Sequence, residues 1–148
     1  QKVAIINNAV TALNNIGIEC PKTAILSASE SPNPKMPESL EAVQLKEMNQ
    51  QGLIKNCIID GPLSYDLCFD PESAKIKGLT SDVAGDPDLI IYPDLVTGNA
   101  VSKALVLNAR AIGSSVILGT AVPVVLPSRA ASVEEKVRNI LLASASVN

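Results

Sequence analysis

The sequence predicts an α/β fold, a three-layer αβα sandwich built around a mainly parallel sheet. Helical and extended patterns alternate almost throughout the 148 residues, and Gly, Pro, Asp or Asn separates them. The link at 119–121, between the last two extended segments, is short enough for a hairpin. We therefore expect one antiparallel pair of strands in an otherwise parallel sheet.

Hydrophobic periodicity and capping residues divide the chain into helices and strands. The predicted helices cover residues 2–16, 37–52, 70–78, 99–110 and 132–142. Runs of apolar, often β-branched residues predict strands at 23–26, 57–59, 89–92, 115–118 and 122–125. The residues expected to face inward are Leu40, Val43 and Met48 in the second helix, Ala100, Ala104, Leu105 and Leu107 in the fourth, and Val137, Ile140, Leu141 and Leu142 in the last.

Composition and charge narrow the range of functions. Lys and Arg number 12 against 15 Asp and Glu, a net charge of −3 without a basic run, which argues against nucleic acid as a partner. No apolar stretch reaches membrane-spanning length, nothing resembles a signal peptide, and the cysteines (Cys20, Cys57, Cys68) lack metal-site spacing. We therefore expect a cytoplasmic protein with reduced thiols.

The sequence contains no His, which excludes Ser-His-Asp catalysis and histidine metal sites on this chain alone. It shows no internal repeat and no linker, so residues 1–148 are expected to form one domain. Because the chain lacks an initiator Met and opens directly in a helical pattern, we also expect it to be a piece of a longer protein.

The turn containing Ser128 and Arg129 is the first candidate site. It follows the predicted strand 122–125, and Ser132 with Glu135 three residues later forms a capping box for the last helix. In open α/β sheets ligands bind at the carboxyl ends of strands, and helix N-termini favour anions. The forked donors of Arg129 suit a phosphate or carboxylate. A solvated strand-to-helix connection is an equally weighted interpretation of this dipeptide.

Other polar clusters also lie beside predicted strands. Asp60 and Gly61 follow the second strand, Gly85 and Asp86 precede the third, and Asp94, Gly98, Asn99 and Lys103 come after it. Gly98 allows close backbone approach, Asn99 opens a helix, and Lys103 lies one turn further on. These groups suit the phosphates of a nucleotide-like ligand, although spacing alone favours a solvated surface residue for Lys103. Aspartates are common in turns, so metal binding by Asp60, Asp86 and Asp94 is disfavoured.

Taken together, these blocks resemble the C-terminal half of the phosphate acetyl/butyryltransferase family. The matching segments are NPKMP at 33–37, IDGPLSYD at 59–66, VAGDPDLIIYPDLVTGNAVSK at 83–103 and VVLPSRAAS at 124–132. They cover nearly the whole chain, and in combination they are specific. The wording DGPL and the NPKMP loop are more similar to the phosphate butyryltransferase branch.

The resemblance implies a reaction in which acyl-CoA and phosphate give acyl phosphate and CoA, for a butyryl or similar short-chain group. It implies coenzyme A as a substrate, no permanently bound cofactor and no metal. The fold it implies is that of isocitrate and isopropylmalate dehydrogenases, with two domains around a cleft. This chain would supply the second domain and the terminal helix, and a further N-terminal domain would supply the other cleft wall.

The resemblance also assigns roles to individual residues. Ser128 would donate a hydrogen bond to the reacting carbonyl, and Arg129 would neutralise the phosphate. The residues expected to bind CoA or phosphate are Asp60, Gly61, Gly85, Asp86, Gly98, Asn99 and Lys103. Glu135 falls where acetyl-type members carry an acid thought to accept the thiol proton. Because a capping carboxylate is held ionised by its own helix, we favour the cap and keep Glu135 as an additional catalytic candidate.

Two alternatives stay open at this point. One is a non-catalytic acyl-CoA-sensing domain, since similar domains are attached to malic enzymes. The other is a dehydrogenase-type domain of the same fold, although Asp60, Asp86 and Asp94 lack the helical spacing that its metal site needs. The resemblance further implies a homodimer paired through this domain, and a helix face of mostly small residues, Ala100, Ala104, Leu107 and Ala111, suits close packing.

Overall fold

The computed structural model describes residues 1–147, and the chain divides into two compact units. We call residues 19–98 the sheet unit, and residues 1–18 together with the chain from residue 99 onwards the helical unit. The elements in chain order are α1 (Lys2–Asn15), β1 (Lys22–Leu26), α2 (Pro37–Gln50), β2 (Ile58–Leu63), α3 (Tyr65–Phe69), α4 (Pro71–Ile76), β3 (Leu89–Ile91), α5 (Leu95–Leu107) and α6 (Val133–Ala145).

The sheet unit is built on three parallel strands in the order β2-β1-β3. Thr23 of the central strand pairs with Ile59 on one side and with Leu89 on the other. Thr23, Ala24, Ile25 and Leu26 are all buried, as a strand covered on both faces requires. The predicted α/β class with parallel pairing is therefore confirmed.

A hydrophobic cluster and a side-chain amide hold the helices of the sheet unit in place. The cluster consists of Ala24, Leu26, Leu63, Leu67, Cys68, Ala74 and Val83. The Asn49 amide of α2 donates to the Cys57 carbonyl at 2.9 Å, and its Oδ1 accepts from the Ile59 N–H at 3.1 Å. These bonds tie α2 to β2, because they replace ladder partners that an edge strand lacks.

Most predicted elements of the sheet unit are confirmed to within a few residues. Asp70 accepts from the backbone N–H groups of Glu72 and Ser73 at 3.0 and 3.2 Å, which confirms the predicted cap of α4. Helix α3 was not predicted. In α2 the buried residues are Ser39, Ala42 and Leu45, so the predicted inward face of this helix was wrong.

Strand β2 is longer than predicted and contains residues expected to follow it. Asp60 and Gly61 lie inside the strand, so their predicted position beyond its carboxyl end was wrong. The charge of Asp60 is balanced by Lys46 of α2, with Nζ 2.6 Å from Oδ1. A Cβ on Gly61 would lie 2.8 Å from the Ile25 Cβ, so glycine is needed where β2 approaches β1.

The predicted strands at 115–118 and 122–125 are not formed in the described part of the chain. Ile117 and Val124 make one isolated antiparallel bridge, so the predicted antiparallel pair of strands was wrong. Pro123 has no N–H to donate to a ladder, and the side chain of Val122 is 66% exposed. A β-branched run forms a strand only where a neighbouring strand and a covering layer accept it.

Helices α5 and α6 form, but the predictions of what they bury were wrong. The Asp94 Oδ1 accepts from the Thr97 N–H at 2.8 Å, which places the start of α5 at Leu95 and not at Asn99. No residue of α5 is buried. In α6 the buried residues are Asn139 and Ala143, while the apolar residues selected by periodicity are partly or largely exposed.

Candidate active site

A cavity of about 500 Å³ in the helical unit brings several predicted site residues together. Asn99 and Lys103 of α5 line it, together with Ser128 and with Glu135 of α6. Its volume falls in the range of roughly 300–1,000 Å³ that is usual for small-molecule pockets. The turn and helix positions chosen from the sequence therefore meet in one concave site.

Ser128 is presented by a tight turn before α6. The Ala131 N–H donates to the Ser128 carbonyl at 3.0 Å, and the Ala130 N–H donates to the Ser128 Oγ at 3.4 Å. The hydroxyl oxygen is therefore an acceptor within the turn, and no described residue accepts from its O–H. The O–H of Ser128 is therefore available to donate to a carbonyl or phosphate oxygen in the cavity.

At the start of α6, the neighbouring carboxylates of Glu134 and Glu135 have different hydrogen-bond environments. The Ser132 Oγ accepts from the Glu135 N–H at 3.2 Å, which confirms Ser132 as the N-cap. Hydrogen bonds from its own backbone N–H and from the Ser132 hydroxyl lower the pKa of Glu134. In the described residues the Glu135 carboxylate makes no such bond, so its interpretation as the reciprocal acid of the capping box was wrong. Glu135 instead lines the cavity, half-buried.

Asn99 and Lys103 lie one turn apart on α5 and are both exposed. Their predicted proximity is confirmed, because residues four apart share a helix face. Within residues 1–147, Lys103 forms neither a hydrogen bond nor an ion pair. It is an exposed cation at the cavity wall, available to an anionic ligand.

Arg129 does not line this cavity. Its side chain is exposed in the turn after Ser128 and has no hydrogen-bond or ion-pair partner in the described chain. Its assignment as the phosphate-neutralising residue stays a prediction.

Arg138 was not singled out from the sequence, yet it lines the cavity. Its Nε donates to the Gly113 carbonyl at 3.4 Å, and the next residue, Asn139, accepts from the Ser115 N–H at 2.8 Å. These contacts fix a cavity-lining segment against α6. The signal in the sequence was the spacing from Glu135, because residues three apart lie on one helix face.

Two further candidates, Gly85 and Asp86, lie in the sheet unit. Gly85 has a φ of +84°, a Cβ there would lie 3.0 Å from Pro71, and its N–H donates to the Leu67 carbonyl at 2.8 Å. Asp86 lies 2.9 Å from the Lys22 Nζ, and this hydrogen bond raises the pKa of Lys22. These contacts give both residues structural roles.

Gly98 also has a structural role in packing. It lies in α5, where a Cβ would stand 3.4 Å from the ring of Tyr92. Asp60 and Gly61 were described above as strand residues. The CoA-binding roles of these glycines and aspartates therefore stay predictions, beside observed structural contacts.

The structure also describes the thiols and the acidic groups. Cys20 is exposed, whereas Cys57 and Cys68 are buried, and all three are free. Burial raises the pKa of Cys57 and raises that of Cys68 to about 11, so neither is a reactive thiolate at neutral pH.

Within residues 1–147 no three His, Cys, Asp or Glu side chains come together as a metal site. In the same part of the chain, no helix has the length and apolar character to span a membrane.

The chain matches the family profile described as phosphate acetyl/butaryl transferase over residues 1–144. It belongs to the phosphate acetyl/butyryltransferase family. It is 49% identical to the phosphate acetyltransferase of Thermotoga maritima and 43% identical to the phosphate butyryltransferase of Clostridium acetobutylicum. Each match covers 97% of this chain but only 49% and 48% of the relative, so the chain spans about half the length of these relatives.

A solved structure supports the same family. A branched-chain phosphotransacylase from Enterococcus faecalis is similar with a TM-score of 0.87 and 35% identity, covering 99% of this chain and 54% of that one. Because both acetyl and butyryl relatives match at similar identity, the family does not decide the acyl group.

Proposed function

We propose that the protein transfers an acyl group between coenzyme A and inorganic phosphate. The observation that carries this function is that Ser128, Glu135, Asn99 and Lys103 line one cavity in a chain of this family. The cavity offers a hydroxyl donor, a carboxylate and a cation, as the reaction requires.

The chemistry needs no covalent enzyme intermediate. The CoA sulfur attacks the carbonyl carbon of the acyl phosphate, the C–S bond forms, and the C–O bond to phosphate breaks. Ser128 donates its hydroxyl hydrogen to the oxyanion that develops at the carbonyl oxygen. Glu135 accepts the thiol proton, and Arg129 neutralises the departing phosphate.

We further propose the butyryl or a similar short-chain group as the acyl substrate. The DGPL segment at 60–63 and the NPKMP loop at 33–37 support this choice. Of the predicted binding residues, we assign Asn99 and Lys103 to the phosphates of CoA or of the acyl phosphate, because both line the cavity.

We propose that the chain is the second domain of a two-domain cytoplasmic enzyme with the three-layer fold of the isocitrate and isopropylmalate dehydrogenases. The length of the relatives supports a further domain. In the sheet unit, α2 lies on the Ile25 side of the sheet, where a Cβ on Gly61 would be 3.4 Å from Ala42. The cluster containing α3 and α4 includes Ala24 and Leu26, which alternate with Ile25 along β1 and therefore face the opposite side of the sheet.

We also propose that the protein forms a homodimer through α5. The absence of any buried residue on this helix and its small residues Ala100 and Ala104 support close pairing. Sedimentation equilibrium would show the dimer at micromolar concentration, and a monomer throughout that range would reject it.

The reaction is tested by following loss of the butyryl-CoA thioester with phosphate and, separately, with arsenate. We expect arsenate to drive the reaction to completion, because acyl arsenates hydrolyse spontaneously. The assay is run on this chain and on the intact parent protein, with acetyl-CoA as the comparison substrate. Binding of acyl-CoA by the parent without turnover would instead identify a sensing domain.

A further inference from the structure

The cavity contains a guanidinium for which the proposed mechanism has no role. Arg138 of α6 lines it together with Lys103 of α5. We infer that Arg138 and Lys103 form a binding site for a phosphate group inside this cavity. The identity of the phosphate carrier rests on the proposed function, whereas the position of the site does not.

The charges of the cavity favour an anion. Among the described residues that line it, the ionisable side chains are Lys103, Glu135 and Arg138. The two cations exceed the single carboxylate, so the described lining has a net positive charge. Arg138 is half-buried, and an ion pair in such a position is screened less than one at the surface.

The side chain of Arg138 is held in place but keeps most of its donors. Only its Nε is engaged, with the Gly113 carbonyl at 3.4 Å. Its terminal N–H groups make no hydrogen bond within residues 1–147, and it attracts Glu134 without forming an ion pair. A planar fork with free terminal donors binds two phosphate oxygens at once, which a lysine cannot do.

A purely structural role explains Arg138 less well. The hydrogen bond to Gly113 is long, and the same segment is independently fixed by the 2.8 Å bond from the Ser115 N–H to Asn139. Removing Arg138 would leave that second bond in place. Arg129, the other arginine near Ser128, is exposed and outside the cavity lining.

The test is isothermal titration calorimetry of the chain with inorganic phosphate and, separately, with CoA. The variants are Arg138→Gln, Arg138→Lys and the matched control Lys136→Gln. Lys136 lies on the same helix, is exposed and does not line the cavity. Arg138→Gln should weaken binding by roughly tenfold or more, as loss of a charge-assisted hydrogen bond does. Arg138→Lys should recover part of the affinity, and Lys136→Gln should match the wild type.

The two titrations distinguish the sources of the phosphate group. Weaker binding of inorganic phosphate places the transferred phosphate at Arg138, whereas weaker binding of CoA alone places a CoA phosphate there. Wild-type affinity of Arg138→Gln for both ligands would overturn the site. An equal loss in Lys136→Gln, or no binding of either ligand by the wild type, would also overturn it.

Circular dichroism checks that Arg138→Gln is folded. If it is not, Lys103→Gln carries the same test, because Lys103 is exposed and has no partner in the described chain; unchanged binding in that variant would overturn the site. Phosphate binding that depends on Arg138, in a protein without acyl transfer, would reject the proposed function and keep the site.

Discussion

The sheet unit and the helical unit bury their apolar residues to different extents. In the sheet unit, Ile25, Leu63 and Leu67 are almost fully buried. Among the described residues of the helical unit, the buried apolar side chains are Ile6, Val10 and Ala143, and α5 buries nothing. The sheet unit therefore contains most of the interior that stabilises the fold.

The candidate side chains differ in the same way. In the sheet unit, Asp60 and Asp86 are engaged by lysines. In the helical unit, the Ser128 hydroxyl hydrogen, the Lys103 ammonium and the Glu135 carboxylate have no acceptor or donor among the described residues. Substitutions in the sheet unit should thus change stability, and substitutions at the cavity should change activity.

The largest expected effect is on the free energy of unfolding, at Leu67 of α3. Leu67 has no exposed surface and belongs to the hydrophobic cluster. Leu67→Ala should lower the free energy of unfolding by about 2–5 kcal/mol, because it removes buried methyl groups and leaves a cavity. The matched control is Leu141→Ala in α6, where the side chain is 62% exposed and the change should stay within about 0.5 kcal/mol. Urea denaturation measures both, and similar losses would contradict the contrast between the units.

The next effect is on turnover, at Ser128. Ser128→Ala removes the hydroxyl hydrogen proposed to stabilise the oxyanion. The barrier should rise by about 2.7–4 kcal/mol, seen as a lower kcat with little change in either KM. The melting temperature should not change, because the side chain lies in an exposed turn. Steady-state kinetics in the acyl-phosphate-forming direction checks this, and near-wild-type turnover would remove Ser128 from the mechanism.

The partner variant Arg129→Lys separates binding from chemistry at the same turn. Lysine keeps the positive charge but loses the two-pronged geometry. If Arg129 contacts phosphate in both ground and transition states, the KM for phosphate should rise while kcat changes little. An unchanged KM for phosphate, beside a raised one in Arg138→Gln, would assign the phosphate to Arg138 alone.

How much was predictable differs between the two units. The strands β1 and β3 were found from apolar runs, because buried parallel strands read as such runs. The similar run at 122–125 did not form a strand, since its sequence could not show that its pairing with 115–118 is limited to the bridge between Ile117 and Val124. Asp60 and Gly61 were predicted to follow the strand, because Asp and Gly are typical of turns. The ion pair with Lys46 and the close approach of Ile25, which place them inside β2, are tertiary contacts that a local pattern does not show.

The candidate site was predicted where local pattern and chemistry coincide. Ser128, Glu135, Asn99 and Lys103 were chosen from turns and helix starts, and they meet in one cavity. Arg138 was missed because its importance depends on the segment near Gly113, which lies 25 residues away in the chain. Local spacing places Arg138 on the same helix face as Glu135, but it does not report the contact with Gly113.

A smaller effect on stability is expected at Asn139, which is fully buried. Asn139→Ala leaves the Ser115 N–H without its acceptor, and should cost about 1–3 kcal/mol of the free energy of unfolding. The Asn139 Nδ2 has no partner, which should keep the loss toward the lower end of that range. The control is Asn7→Ala on α1, an exposed asparagine. Chemical denaturation of both variants measures whether buried Asn139 stabilises the helical unit, and equal stability of the two variants would show that it does not.

The smallest effect tests whether an exposed lysine in the sheet unit is structural. The Lys77 ammonium contacts the Glu30 carboxylate and lies 2.8 Å from the Asp66 Oδ2, and the Ser64 Oγ lies 2.9 Å from the Glu30 Oε1 and 2.6 Å from the Asp66 Oδ1. The hydrogen bond from Lys77 is the main cause that lowers the pKa of Asp66 from 3.8 to about 2 and also lowers that of Glu30. The same contacts raise the pKa of Lys77 above 10.5.

The signs of these shifts define the pH window. The depressed acids stabilise the folded state above their ordinary pKa, and this contribution is lost as the pH falls from 3.8 toward about 2. The raised Lys77 stabilises below pH 10.5, and its contribution is lost as the pH rises through its higher folded value. Lys77→Gln should therefore melt below the wild type at neutral pH and match it at both extremes. High salt should shrink the difference, because all three side chains are about 40–50% exposed.

The control for this series is Lys55→Gln, an exposed lysine of the sheet unit without a described partner. Its melting temperature should follow the wild type at every pH. If the melting temperatures of Lys77→Gln and the wild type differed by the same amount at every pH, the ion pairs of Lys77 with Glu30 and Asp66 would not titrate as their geometry implies. Exposure alone does not mark a binding residue: Lys77 is half-exposed with its acids in place, whereas Lys103 is exposed with none. If both lysine variants at 55 and 77 melted alike, this distinction between a satisfied and an available cation would fail.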